Sequence, residues 1–90
     1  LWTPLTRAAA ENRTPVVSIL LKADDINIDQ KDDHGATALH HSASHGHTKI
    51  VELLLLHGSN PRITDDLGRT PADYAIEKSH RELALLMRDL

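Results

Sequence analysis

Along this chain apolar residues arrive in pairs of bursts. A short alanine-rich burst is followed by a polar break and then by a longer aliphatic burst. The pattern runs three times, as TPLTRAAAENRTPVVSILL from Thr3, TALHHSASHGHTKIVELLL from Thr37 and TPADYAIEKSHRELALLMR from Thr70. The intervals between the three threonines are 34 and 33 residues. In the middle copy Ile50, Val51, Leu54 and Leu55 fall at helical spacing and form one apolar stripe. Each copy is therefore expected to fold as a short helix, a tight loop and a longer helix, followed by an extended return.

The polar positions mark the ends of those helices. Thr3, Thr37 and Thr70 suit the N-cap, where a hydroxyl accepts from an unpaired N–H of the first turn. Pro4 and Pro71 follow at the first helical position, where no N–H is needed. Gly46 can end the middle short helix in the left-handed region, and Asn12 can do so in the first copy. Ser79, at the same place in the third, is a poorer choice. Gly58 stops the long middle helix and Pro61 prevents its resumption. Gly35 and Gly68 suit tight turns in the connections DDHGA and DDLGR.

Repetition at this period, with these residues, resembles the ankyrin repeat. The middle copy, TALHHSASHGHTKIVELLLLHGSNP, is similar to the family pattern nearly throughout. The resemblance covers the whole chain as one domain, 1–90, with units at about 3–36, 37–69 and 70–90. It implies an all-α solenoid of stacked helix-turn-helix units with short β-turn or hairpin fingers. The outer copies depart from the pattern. The His of the motif becomes Thr6 and Asp73, an extra residue falls near Ala23–Ile26, and Arg88 replaces an inward Leu. Atypical outer units are expected of an array, because one face of each meets no neighbour. Leu1 stands where the family's turn commonly has Gly, so the array is expected to extend upstream as part of a longer protein.

Four histidines within GATALHHSASHGH, at positions 40, 41, 45 and 47, suggest a metal site at first sight. The resemblance gives His40 and His47 architectural roles as hydrogen-bonding links. His41 and His45 have the i, i+4 spacing of a zinc pair, but Ser42 stands where a zincin carries Glu, and no third ligand lies nearby. The expectation is one partly packed and one exposed histidine, with no metal and no cofactor. DINIDQKDDHGA from Asp25 imitates a calcium loop. It has Gln30 in place of the turn glycine and Ala36 in place of the closing Glu. Asn27, or Asp29 if the extra residue shifts the register, holds the place where ankyrin repeats can be hydroxylated.

Composition narrows the function. With 10 Lys and Arg against 13 Asp and Glu, the net charge of −3 offers no pull toward nucleic acid or anionic lipid. Cysteine is absent, and no apolar run approaches the roughly 20 residues that span a bilayer. A monomer in an intracellular compartment, cytoplasmic or nuclear, is expected. No glycine-rich phosphate loop or nucleophile turn is present, and the paired carboxylates at 24–25, 32–33 and 65–66 are expected to stay ordinary in water, so the chain is not expected to be an enzyme.

What remains is a binding surface. The resemblance implies a protein–protein interaction module that grips its partner with the concave face made by turns and first helices. The turns contribute Trp2, Asp33, His34, Asp66, Leu67 and Arg69. The first helices contribute Glu11, Ser44, His45, Glu77 and Lys78. Leu67 and Trp2 are apolar where water is expected, and either pack on a neighbour or wait for a partner. The balance of these charges is slightly acidic, so a partner segment with some Lys or Arg is expected. The alternative is a structural spacer, or a regulatory segment attached to a catalytic or channel domain.

Overall fold

A computed structural model of the chain describes residues 2–88. They form six helices: α1 Pro4–Ala10, α2 Thr14–Leu20, α3 Ala38–Ser44, α4 Thr48–Leu56, α5 Pro71–Glu77 and α6 Arg81–Arg88. The helices pack in pairs, α1 with α2, α3 with α4 and α5 with α6. The pairs stack through their first helices, α3 lying between α1 and α5, while α2 packs beside α4. Among the described residues there is no strand, and the fingers between pairs are tight hydrogen-bonded turns. The reading of Leu1 lies outside the described residues.

All three first helices begin alike. The hydroxyls of Thr3, Thr37 and Thr70 accept from the backbone N–H of Thr6, His40 and Asp73. In α3 and α5 the favour is returned: His40 Nδ1 accepts from Thr37 N–H, and Asp73 Oδ2 from Thr70 N–H. All three also end alike. Arg13, His47 and His80 N–H groups reach back to the carbonyls of Ala8, Ser42 and Ala75 at 2.8–3.0 Å. That closure needs a left-handed residue one place earlier, and Asn12, Gly46 and Ser79 sit there with φ of 61°, 71° and 67°. Helix α4 closes in the same way on Gly58, through Ser59 N–H to the Leu54 carbonyl. Helix α2 does not. Its Leu21 stays right-handed, and the chain runs on through successive turns, which is how the extra residue near Ala23 is absorbed.

The core is aliphatic. Leu5, Val17, Leu39, Ile50, Val51 and Leu54 are at most 2% exposed, and Ala9, Ala43 and Ala75 let the helices approach closely. Of the predicted stripe only Leu55 is half-buried. Between units, the buried His40 is held at both nitrogens: Nδ1 accepts from Thr37, and Nε2–H donates to the Arg69 carbonyl of the next finger at 2.9 Å. His47 Nδ1 bonds the Ala9 carbonyl of the preceding unit at 3.0 Å. Finger touches finger as well, Asp66 N–H donating to the His34 carbonyl. A side chain at Gly35 would strike Asp66, so the close approach requires glycine there.

Two stability changes follow. Leu54→Ala opens a cavity at a fully buried site and is expected to cost about 2–5 kcal/mol, read as a fall in the urea midpoint. An unchanged midpoint would place Leu54 outside the core. Ser79→Gly relieves the cost of a left-handed L-residue and is expected to gain up to about 1 kcal/mol, part of the relief being offset by the freer unfolded chain. A lower melting temperature for that variant would mean the Ser79 backbone is not left-handed in solution.

Candidate functional site

Two of the fingers are built on one device. Asp32 Oδ1 accepts the N–H groups of His34 and Ala36, two and four residues on, and Asp65 Oδ1 accepts those of Leu67 and Arg69. Each finger belongs with the helix pair that follows it, and the second oxygen of each Asp faces the first helix of that pair. Asp32 Oδ2 meets His41 Nε2 at 2.8 Å, and Asp65 Oδ2 meets the Tyr74 hydroxyl at 2.6 Å. His41 and Tyr74 each stand four residues after the capping Thr, so a helix register sets both pairs. Arg69 adds a fork onto Asp65 Oδ2, at 3.1 Å from Nε and 3.0 Å from Nη2, and its Nη1 reaches Glu77 at 3.1 Å.

Burial and bonding work against each other at these carboxyls. Burial would raise both acids, but donors overcome it. His41 and two backbone N–H groups hold Asp32 below the ordinary carboxyl value, and Tyr74 and Arg69 hold Asp65 far below it. The expectation that water keeps paired carboxylates ordinary therefore fails for Asp32 and Asp65, which are buried and bonded. Burial and the bond to Asp65 push the Tyr74 phenol up to about 12. Burial lowers His40, and its bond to the Arg69 carbonyl only partly opposes this.

Fingers and first helices enclose an open groove of about 860 Å³. Its rings lie in a row: Trp2 against His41 at 4.5 Å between centroids, then Tyr74 at 6.5 Å from His41, with the Arg69 guanidinium 5.0 Å over the Tyr74 ring. Leu67, 77% exposed, and Trp2, 42% exposed, present apolar surface to it. Of the residues expected from sequence, Trp2, Asp33, His34, Asp66, Leu67 and Arg69 line this groove together. The other five lie outside its lining. Glu11 pairs with Arg7 and Arg13 at the end of α1, and Ser44 is half-buried at the end of α3. The exposed ring of His45 turns back onto the His41 carbonyl and stacks on His47. Glu77 approaches only through Arg69, and Lys78 is exposed at the end of α5. Tyr74, Arg7 and the Asp32–His41 pair line the groove without having been expected there. The signal for Tyr74 was its register with His41.

The acidic connection imitating a calcium loop has other work. Asp29 Oδ1 accepts from Ser59 Oγ and Asn60 N–H of the next unit, which ties the two returns together. Exposed Asn27 bonds Gln30 within its own turn. Among the described residues no three His, Asp or Glu side chains converge as a metal site would need. No described helix is long and apolar enough to cross a membrane.

The model of the family described as ankyrin repeats, in three copies, matches residues 5–89. The chain belongs to the ankyrin-repeat family. Such repeats generally mediate protein–protein interaction, and the family is generally non-catalytic. Among relatives, the chain is 36% identical to the ankyrin repeat protein YahD of Escherichia coli (strain K12), over 92% of this chain and 44% of that one. It is 34% identical to BCL-6 corepressor-like protein 1 of Homo sapiens, over 94% of this chain and 5% of that protein. Ankyrin repeat and SOCS box protein 3 of Homo sapiens is 39% identical over 78% of this chain and 14% of its own length. The chain thus spans less than half the length of each.

Titration sets a pH dependence for this ankyrin array. His40 is depressed below its ordinary 6.5, so the unfolded chain takes up its proton first, and stability drops as pH falls from 6.5. The depressed Asp32 and Asp65 add to the loss below the ordinary 3.8. The raised Tyr74 acts oppositely, and stability falls as pH rises from 10.0 toward 12. Each group contributes a slope of at most about 1.4 kcal/mol per pH unit. Urea melts should show a lower midpoint at pH 5 than at pH 7.5, with a smaller difference in His40→Gln. Equal midpoints for the native chain would show that His40 is not held neutral.

Proposed function

We propose that this ankyrin array is a protein–protein interaction module that takes a partner segment into the groove between its fingers and first helices. The observation that carries the reading is the exposure of Leu67 and Trp2 on a groove in which the Asp32, His41, Asp65, Arg69 and Tyr74 side chains are tied down by hydrogen bonds. Apolar side chains amid polar neighbours on a preformed surface are where interface energy concentrates. The groove counts four Asp against two Arg, which favours a partner with basic residues. In this reading the units at about 3–36, 37–69 and 70–90 act as one monomeric domain. A longer partner segment runs on over Glu11, Ser44, His45, Glu77 and Lys78.

A second reading places the same array inside a longer intracellular protein as the docking or regulatory segment for an attached domain. It is favoured by the small share of some relatives that the chain spans, such as 7% of the human ARF GTPase-activating protein GIT1. The two readings share the groove and differ in whether the partner is another chain.

Leu67→Glu puts a charge on the exposed finger of the groove, whereas His45→Glu alters an exposed residue outside the groove lining. Both should keep the native circular dichroism spectrum. Partners captured by the native chain should be lost with Leu67→Glu and only modestly weakened with His45→Glu, at the edge of the contact. If the Leu67 variant stays folded and captures the same proteins with unchanged affinity, partner binding lies elsewhere.

A further inference from the structure

The two ends of the stack are unlike. Equivalent positions lie 34 and 33 residues apart, so the three units can be compared residue by residue. In the middle unit Ala38, Ile50 and Leu54 are at most 1% exposed, and in the third their equivalents Pro71, Leu83 and Met87 are buried as well. The same positions in the first unit are Pro4, Val16 and Leu20. Pro4 is exposed, Val16 is 41% exposed and Leu20 is only half-buried. Ile19, on the same turn as Val16, is 68% exposed. What differs is the neighbour. Helices α3 and α4 lie against α1 and α2, and α5 lies against α3, but among the described residues no helix covers the far side of α1 and α2. Those positions are apolar all the same, although an outer face that meets water is ordinarily polar.

The opposite end has changed its residues. Ala9 and Ala43, both fully buried at the junctions between first helices, give way to Ile76, 43% exposed. Leu21 and Leu55 give way to the exposed Arg88. Asp73 stands where His40 reaches forward to the next finger, and it bonds only Thr70 in its own cap. A first helix brought against α5 would therefore meet a branched side chain where the other junctions have a methyl group, and would find no forward link.

We propose that the outer face of α1 and α2 is an open stacking surface that takes the helix pair of a further unit of this kind, joined ahead of Trp2 in the same polypeptide, and that the outer face of α5 and α6 takes none. The occupant follows from what covers the equivalent face of the middle unit. There α1, with its buried Ala9, packs on α3, and α2 packs beside α4. The loop is prepared in the same way. His47 donates to the Ala9 carbonyl at the end of the preceding first helix. Arg13 holds the equivalent place with an exposed guanidinium, and it has N–H groups beyond the one given to Glu11 with which to reach such a carbonyl. A second copy stacked head to tail would offer α5 and α6 with Ile76 and Arg88, the altered face, and so does not supply this partner. The surface is separate from Leu67 and the finger aspartates of the groove.

Two extended chains test this. In one, a copy of residues 3–36 is joined ahead of Thr3. In the other, a copy of residues 58–90 is joined after residue 90. The front extension should raise the urea midpoint in a single transition whose denaturant slope is about a third larger, because four units rather than three then unfold together. The rear extension should leave the midpoint of the array unchanged. Val16→Glu should cancel the gain in the front-extended chain and barely move the midpoint of the native chain, where Val16 already meets water. Sedimentation of the native chain should give a monomer. No gain at the front, an equal gain at both ends, or a gain that survives Val16→Glu would each overturn the proposal. So would a native dimer that Val16→Glu dissociates, because a second copy would then own the face.

Discussion

The stacking of this molecule depends on one buried imidazole with both nitrogens engaged. His40 closes the cap of its own helix with Nδ1 and crosses to the next finger with Nε2. A fully buried group so bound has one workable protonation state and one tautomer, because a second proton would leave Thr37 N–H facing a donor. Thr6 and Asp73, at the equivalent places, serve only their own caps: Thr6 meets the Thr3 hydroxyl, and Asp73 meets Thr70 N–H. The middle unit is therefore the organiser, and the outer ones are arranged around it.

The fingers show how a scaffold becomes a surface. Each aspartate spends one oxygen on its turn and lends the other to the helix behind. The turns are thereby stiffened without strands, and their tips can carry exposed residues such as Leu67 without collapsing onto the core. Groove residues that look like contact groups divide on this basis. Arg69 is largely committed to Asp65 and Glu77, whereas Leu67 and Trp2 keep much of their surface in solvent.

Local chemistry was legible in the sequence, and lateral chemistry less so. The threonine caps, the prolines behind them and the left-handed residues at 12, 46 and 79 act within a few residues and appear where the pattern placed them. The family pattern supplied the stacked fold and the roles of His40 and His47. Composition could not show that Asp32 and Asp65 are buried, since an aspartate pair in a connection reads as solvated until its helix partner is known. Tyr74 was missed because its use depends on the Asp65 oxygen left over from the turn. Nor could spacing show that His45 turns back onto its own helix, since that choice belongs to a side-chain rotamer.

The two inter-unit histidine bonds sit at opposite ends of α3. His40, near its start, ties forward to Arg69, and His47, just past its end, ties back to Ala9. Together they form a diagonal brace. Tilting the middle unit toward either neighbour stretches one of the two, and sliding the outer units apart loads both at once. Such a brace resists shear where a purely aliphatic interface would slip. A tensile load along the stack passes through these two bonds in series, so that under force the array parts first at whichever junction is the weaker.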